Sequence, residues 1–181
     1  MKPDRIAFAA IVVLICAALQ SASCAAAEES APAAPSPVAA AYHRADFKEA
    51  LRLARPLAEQ GDAEAEHLLG LMYASGDGVD KDLAQSAAWY EKAAAQGVVA
   101  SQNNLGLYYL HGEGVAQDYA KAAFWFRKAA DQGAGQGMYN LASLYENGQG
   151  MPRDYKKAAA LYRQVAASLL DAWYRENTPH P

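Results

Sequence analysis

Cysteine is nearly absent from this 181-residue chain. The two present, Cys16 and Cys24, both precede residue 25, so the rest can form neither a disulfide nor a thiolate metal site. An excess of positive charge is lacking too. Sixteen Lys and Arg face 20 Asp and Glu, a net charge of −4, without the concentrated cations that a nucleic-acid partner demands. The longest uncharged apolar run, Ile6 to Leu19, falls short of the about 20 residues a membrane-spanning helix needs. The four histidines, His43, His67, His111 and His180, are scattered, and no H-E-x-x-H places two on one helix face. Neither a G-x-S-x-G elbow nor a Ser/Lys pair suggests acyl transfer. GAGQG at 133–137 follows an Ala-rich segment rather than a strand, so it reads as a helix stop whose later glycines weaken the next helix, not as a phosphate loop. No catalytic residue, metal or cofactor is expected.

Alanine is what the chain has in excess, at 43 residues. It is a strong helix former that buries little surface, which points to helices packed closely through small side chains. At the N-terminus, Lys2 and Arg5 precede the apolar run and small residues follow it, the order of an export signal over residues 1–27. Ala25, Ala26 and Ala27 before Glu28 form an A-x-A cleavage site. Ser21 to Cys24 resembles a bacterial lipobox with Ser21 where Leu usually stands, so lipidation of Cys24 is the alternative. The mature protein is expected in a bacterial periplasm, touching membrane only if Cys24 carries lipid. Residues 28–41, with three prolines and no periodicity, read as a disordered tether.

From Gly61 the chain repeats itself every 36 residues, in blocks 61–96, 97–132 and 133–168 without insertion or deletion. The first two blocks share 16 identities, among them Leu69/Leu105, Gly70/Gly106, Trp89/Trp125 and Lys92/Lys128. Residues 42–60 read as a preceding half-unit, since Asp46 lies 36 residues before Asp82. Each block carries two apolar faces at helical spacing, hence two helices. Between them lie GDGV, GEGV and GQGM at 76–79, 112–115 and 148–151, where glycine can adopt the positive φ that ends a helix. Asp46, Asp82, Asp118 and Asp154 are placed to cap the second helices. The fourth stop glycine is replaced by Leu169, so the last helix should run from about Asp154 to about Arg175, with Leu169, Leu170, Trp173 and Tyr174 in a segment 169–181 covering the end of the stack. Pro56 should kink or break its helix near Arg55. Trp125 is expected between helices.

The pattern LG-x-x-Y, G-x-G-V, Asp, then KAAxWxxKAAxQG resembles the Sel1-like repeat, a relative of the tetratricopeptide repeats. The resemblance implies an all-α, right-handed α-solenoid of three and a half helix-turn-helix units. It also implies a non-catalytic adaptor for another periplasmic or membrane-associated protein, of the kind linked to sensor kinases or to polysaccharide and secretion machinery. A hydrolase acting on cell-wall material or β-lactams, proposed for cysteine-rich relatives, is the rival, and this chain lacks their paired cysteines.

In such a stack the first helices line a concave groove. Oriented as in the tetratricopeptide relatives, they present Glu64, His67, Leu71 and Ala74, then Ala100, Asn103, Leu107 and Leu110, then Gln136, Tyr139, Ser143 and Glu146. These positions differ between units while the scaffold positions repeat, as expected of one specific surface on a regular frame. Leu71, Leu107 and Leu110 have a packing role open to them. Leu71, Leu107 and Ser143 also stand where a carboxylate clamp would hold Asn, which argues against recognition of a C-terminal carboxylate. Glu64 and Glu66 read as an exposed helix face, and the interleaved cations Lys121, Arg127, Lys128, Arg153, Lys156 and Lys157 as a bias on partner choice.

Overall fold

The computed structural model describes residues 35–177. The expected signal, its cleavage site, Cys24 and residues 28–34 of the tether lie outside the described residues. Among those described there are eight helices and no strand: α1 (Pro37–His43), α2 (Phe47–Glu59), α3 (Ala63–Ser75), α4 (Leu83–Ala95), α5 (Val99–His111), α6 (Tyr119–Asp131), α7 (Gly135–Asn147) and α8 (Tyr155–Asn177). Each packs against the next in chain order, and first helices of adjacent units also touch, α1 on α3 and α3 on α5. This is an all-α helical solenoid.

The capping reading holds. Asp46, Asp82, Asp118 and Asp154 each accept a backbone N–H from the first turn of α2, α4, α6 or α8. Gly76, Gly112 and Gly148 close the first helices in the left-handed conformation, with φ of 87°, 74° and 66°. The second glycine of each loop has a further task. A Cβ on Gly78, Gly114 or Gly150 would strike Phe47, Leu83 or Tyr119, in each case the first residue of the preceding unit's second helix. Loop and previous unit are thus in direct backbone contact.

A second periodic device ties the two helices of a unit together by hydrogen bonds. The Nε2 of Gln96, just past α4, donates to the Gly61 carbonyl at 3.0 Å and to Glu66 Oε2 at 2.7 Å. Thirty-six residues on, Gln132 Nε2 donates to the Gly97 carbonyl at 3.1 Å and to Gln102 Oε1 at 2.8 Å. Gln102 in turn donates to the Ala94 carbonyl at 3.1 Å. Glu66 and Gln102 are both buried, so these bonds satisfy groups that would be costly to leave unpaired.

Within a unit, one aromatic ring of the second helix lies flat on the glycine of the first. A Cβ on Gly70 would come within 2.5 Å of Tyr90, and one on Gly106 within 2.5 Å of Phe126. The third unit has Ala142 at this position, fully buried, and its aromatic partner Tyr162 is only half-buried. Gly137 also does more than weaken a helix start, because a Cβ there would lie 2.7 Å from the Ala129 methyl, so it allows α7 to approach α6.

Four expectations need correction. Residues 35–41 are not tether: Ser36 caps α1 by accepting from the Ala39 N–H, Pro37 sits in the first turn where its missing N–H costs nothing, and Val38 and Ala41 are buried. The opening unit is therefore a shortened pair rather than half a unit. Pro56 does not break α2, which runs through it. It leaves without a donor only the Arg52 carbonyl, at an exposed residue within reach of water. The end of α8 does not cover the stack. At 23 residues against 13 for α7, it overruns its partner by about 15 Å at 1.5 Å per residue, and Leu169, Leu170, Trp173 and Tyr174 are exposed.

Trp125 is half-buried, not enclosed; the enclosed ring is its neighbour Phe126, at 0% exposure. Phe126→Ala should therefore cost about 3–5 kcal/mol, and Trp125→Ala distinctly less. Urea denaturation of the two variants checks the order, and equal costs would mean that the burial of the two rings is misassigned.

Candidate interaction face

The side chains with chemistry to offer lie along the first helices, whose register is set by the unit-to-unit contacts just described. In α7 and its neighbours they form a connected polar network. Asn140 Nδ2 donates to Asn103 Oδ1 at 3.0 Å, crossing from one unit to the previous, and Gln136 Nε2 donates to Asn140 Oδ1 at 3.3 Å. Beside it the Tyr139 and Tyr162 rings meet with centroids 5.4 Å apart and planes tilted by 59°. The Tyr162 hydroxyl donates to Glu146 Oε2 at 3.0 Å. Burial, and after it the Glu146 carboxylate, raises the Tyr162 pKa, so the phenol stays a donor. Asn147 Nδ2 donates to the Ser143 carbonyl at 2.9 Å. Tyr139 itself is 52% exposed, a large aromatic surface held in place by its neighbours yet open to a partner.

Asn103 and Gln136 therefore belong to the amide ladder, and Tyr139, Ser143 and Glu146 to the cluster around Tyr162. The expected residues nearer the N-terminus join neither. Leu71, Leu107 and Leu110 pack against the apolar core clusters, which is the packing role left open for them. Glu64 is exposed and lines a small crevice beside Pro37, Val38 and Leu57 at the start of the array. Glu66, read from the sequence as exposed, is 3% exposed and bonded to Gln96. Its neighbour Ala65 faces the same core, so the alternating acids do not share a solvent face.

His67 is half-buried, with Nδ1 2.8 Å from Ser101 Oγ and its ring 5.7 Å from that of Tyr90. His111 is exposed at the end of α5. Among the described residues no three of His, Cys, Asp and Glu converge as a metal site would require. The arrangement presents amide donors and acceptors with an aromatic anchor, a combination suited to polypeptide contact.

Sequence reasoning missed Asn140 and Tyr162. The signal for Asn140 was available: it lies 37 residues from Asn103, one unit plus one residue, so it faces across the boundary between units. Tyr162 repeats the aromatic ring of Tyr90 and Phe126, so nothing in the sequence signals that it is only half-buried.

Burial holds the His67 pKa below its ordinary 6.5, with the Glu64 charge opposing. The unfolded chain thus takes up this proton first on acidification. Stability is full above about pH 6.5 and falls as the pH drops toward the folded pKa. His67→Gln should lose less stability than the wild type between pH 7 and pH 5 in urea titrations; identical slopes would place His67 in solvent.

The Sel1 repeat model matches residues 41–62, 63–98, 99–133 and 135–168. Among solved structures, c5321, a protective antigen present in uropathogenic Escherichia coli strains and displaying an SLR fold, is 42% identical over 68% of this chain and 26% of its own, with a TM-score of 0.66. A Sel1 repeat protein from Oxalobacter formigenes is 32% identical over 72% of this chain and 54% of its own, with a TM-score of 0.68. The chain thus spans about a quarter of the first and about half of the second. Helicobacter pylori cysteine rich protein B, 20% identical with a TM-score of 0.52, shares the fold. No curated protein matches.

Proposed function

The chain belongs to the Sel1 repeat family, whose repeats serve as scaffolds for protein–protein contact, and on that premise we propose that it is an exported, non-catalytic adaptor. It holds another envelope protein against the first-helix face of its last two units. The observation that carries this reading is the exposed Tyr139 ring flanked by the Asn103–Asn140–Gln136 amide ladder. Interfaces concentrate their affinity in a few aromatic anchors, and a ring already held against Tyr162 loses little freedom when a partner covers it. The amides supply adaptable hydrogen bonds to the partner's backbone. Export rests on the order of residues 1–27: two cations, an apolar run and an A-x-A site.

A photo-crosslinking residue placed at Tyr139 in intact cells should give a discrete adduct, and the same residue at exposed Ala88 on α4 should not. Identical patterns from both positions, or none from Tyr139, would refute the assigned face. Tyr139→Ala should weaken the captured partner by about 2 kcal/mol, roughly thirtyfold, with the melting temperature unchanged. The address is tested separately by mass spectrometry of the mature N-terminus. A free Glu28 is the expected result; a lipidated Cys24 would make the adaptor membrane-anchored, and an uncleaved Met1 would contradict export.

A further inference from the structure

A crevice of about 290 Å³ opens between α6 and α8, floored by Met138 and Leu141 of α7. Its origin is legible in the repeat. In the second unit the corresponding positions of α6 carry Phe124 and Trp125, whose rings meet edge to face at 4.9 Å, with Trp125 packed on the core. In the third unit they are Ala160 and Leu161, both lining the crevice. The first unit has Ala88 and Trp89 at these places, so the change peculiar to the third unit is an indole ring replaced by the isobutyl group of Leu161, and the volume is left open. It lies at the lower limit of small-molecule sites, which run from about 300 to 1,000 Å³. That size suits one large side chain of a partner better than a cofactor.

The rim adds a charge preference. Arg127 Nη2 donates to the Tyr145 hydroxyl at 2.8 Å, one of the five N–H groups a guanidinium carries. The Lys157 ammonium stands 5.3 Å from the Tyr145 ring centroid, and its own acid, Asp154, lies 3.6 Å away in an exposed pair. Asp131, also at the rim, makes no ion pair with Arg127. The guanidinium is therefore in contact with no carboxylate among the described residues and stands above an apolar floor. Met138 and Tyr145 precede Tyr139 and Glu146 by one residue each, a turn of about 100° round the helix, so this is a second surface.

We propose that the crevice receives a single aromatic side chain of a partner polypeptide whose neighbouring residue is acidic, the ring taking the place that Trp125 fills one unit earlier and the carboxylate meeting Arg127. This assignment is independent of the Tyr139 face, and either can fail without the other.

The test uses the mature full chain with labelled Met and Ala methyl groups, titrated with N-acetyl-Trp-Asp-amide, N-acetyl-Trp-Lys-amide and N-acetyl-Leu-Asp-amide. The Trp-Asp probe should shift the Met138 and Ala160 methyl signals and bind about fivefold more tightly than Trp-Lys, the ratio expected of one partly exposed ion pair. Arg127→Gln should bring those two probes together. The double variant Ala160→Phe, Leu161→Trp, which rebuilds the second unit's arrangement and should keep the helical circular dichroism, should abolish the shifts. Absence of shifts at both methyls, Leu-Asp binding as tightly as Trp-Asp, or undiminished binding to the refilled variant would each overturn the proposal.

Discussion

The contact between one helical pair and the next is what the rest of this structure depends on. A two-helix hairpin of 13-residue helices cannot enclose its own apolar face, and an isolated helix of that length is marginal in water. The neighbour supplies the missing wall. Between units, a loop glycine is seated on the previous unit's second helix every 36 residues, and Gln102 donates to the Ala94 carbonyl of the unit before; within a unit, a glutamine past the second helix is bonded to the opening turn and to a buried polar residue of the first helix. Where the array ends these features lapse. Ser168 stands where the next Gln would be, α8 runs on beyond α7, and its apolar residues meet solvent.

The scaffold was readable because its causes are local and recur. Capping aspartates and stop glycines each follow from backbone geometry, and repetition removes the ambiguity that a single instance would leave. What repetition could not disclose lies where a unit departs from its siblings. The α1 helix is hidden in a Pro/Ala-rich segment whose composition reads as disorder, although Ser36 followed by Pro37 is a helix-start signal. Glu66 looks like a surface acid until the bond from Gln96 is seen. Trp125 and Phe126 are adjacent bulky rings, and only the helix phase decides which is enclosed.

The candidate face was half legible. Asn103, Gln136, Tyr139, Ser143 and Glu146 were placed by analogy of register, and they fall in the amide ladder or in the cluster around Tyr162. Leu71, Leu107 and Leu110 satisfy the same positional rule but lie where the core needs apolar surface. Both surfaces of interest draw on the third unit. Tyr162 lies half-buried beside Tyr139 and Glu146, and Leu161, where the earlier units carry Trp, lines the crevice beside Arg127.

Coupling between units can be measured with tryptophan as a reporter, since Trp89 and Trp125 sit in consecutive units. In single-tryptophan variants that retain one or the other, with the remaining two replaced by Phe, urea unfolding followed by fluorescence should give coincident midpoints and slopes once each is referred to its own circular dichroism curve. Two separated transitions, one per unit, would mean that the hairpins stand on their own and that the contacts between them do not hold the fold together.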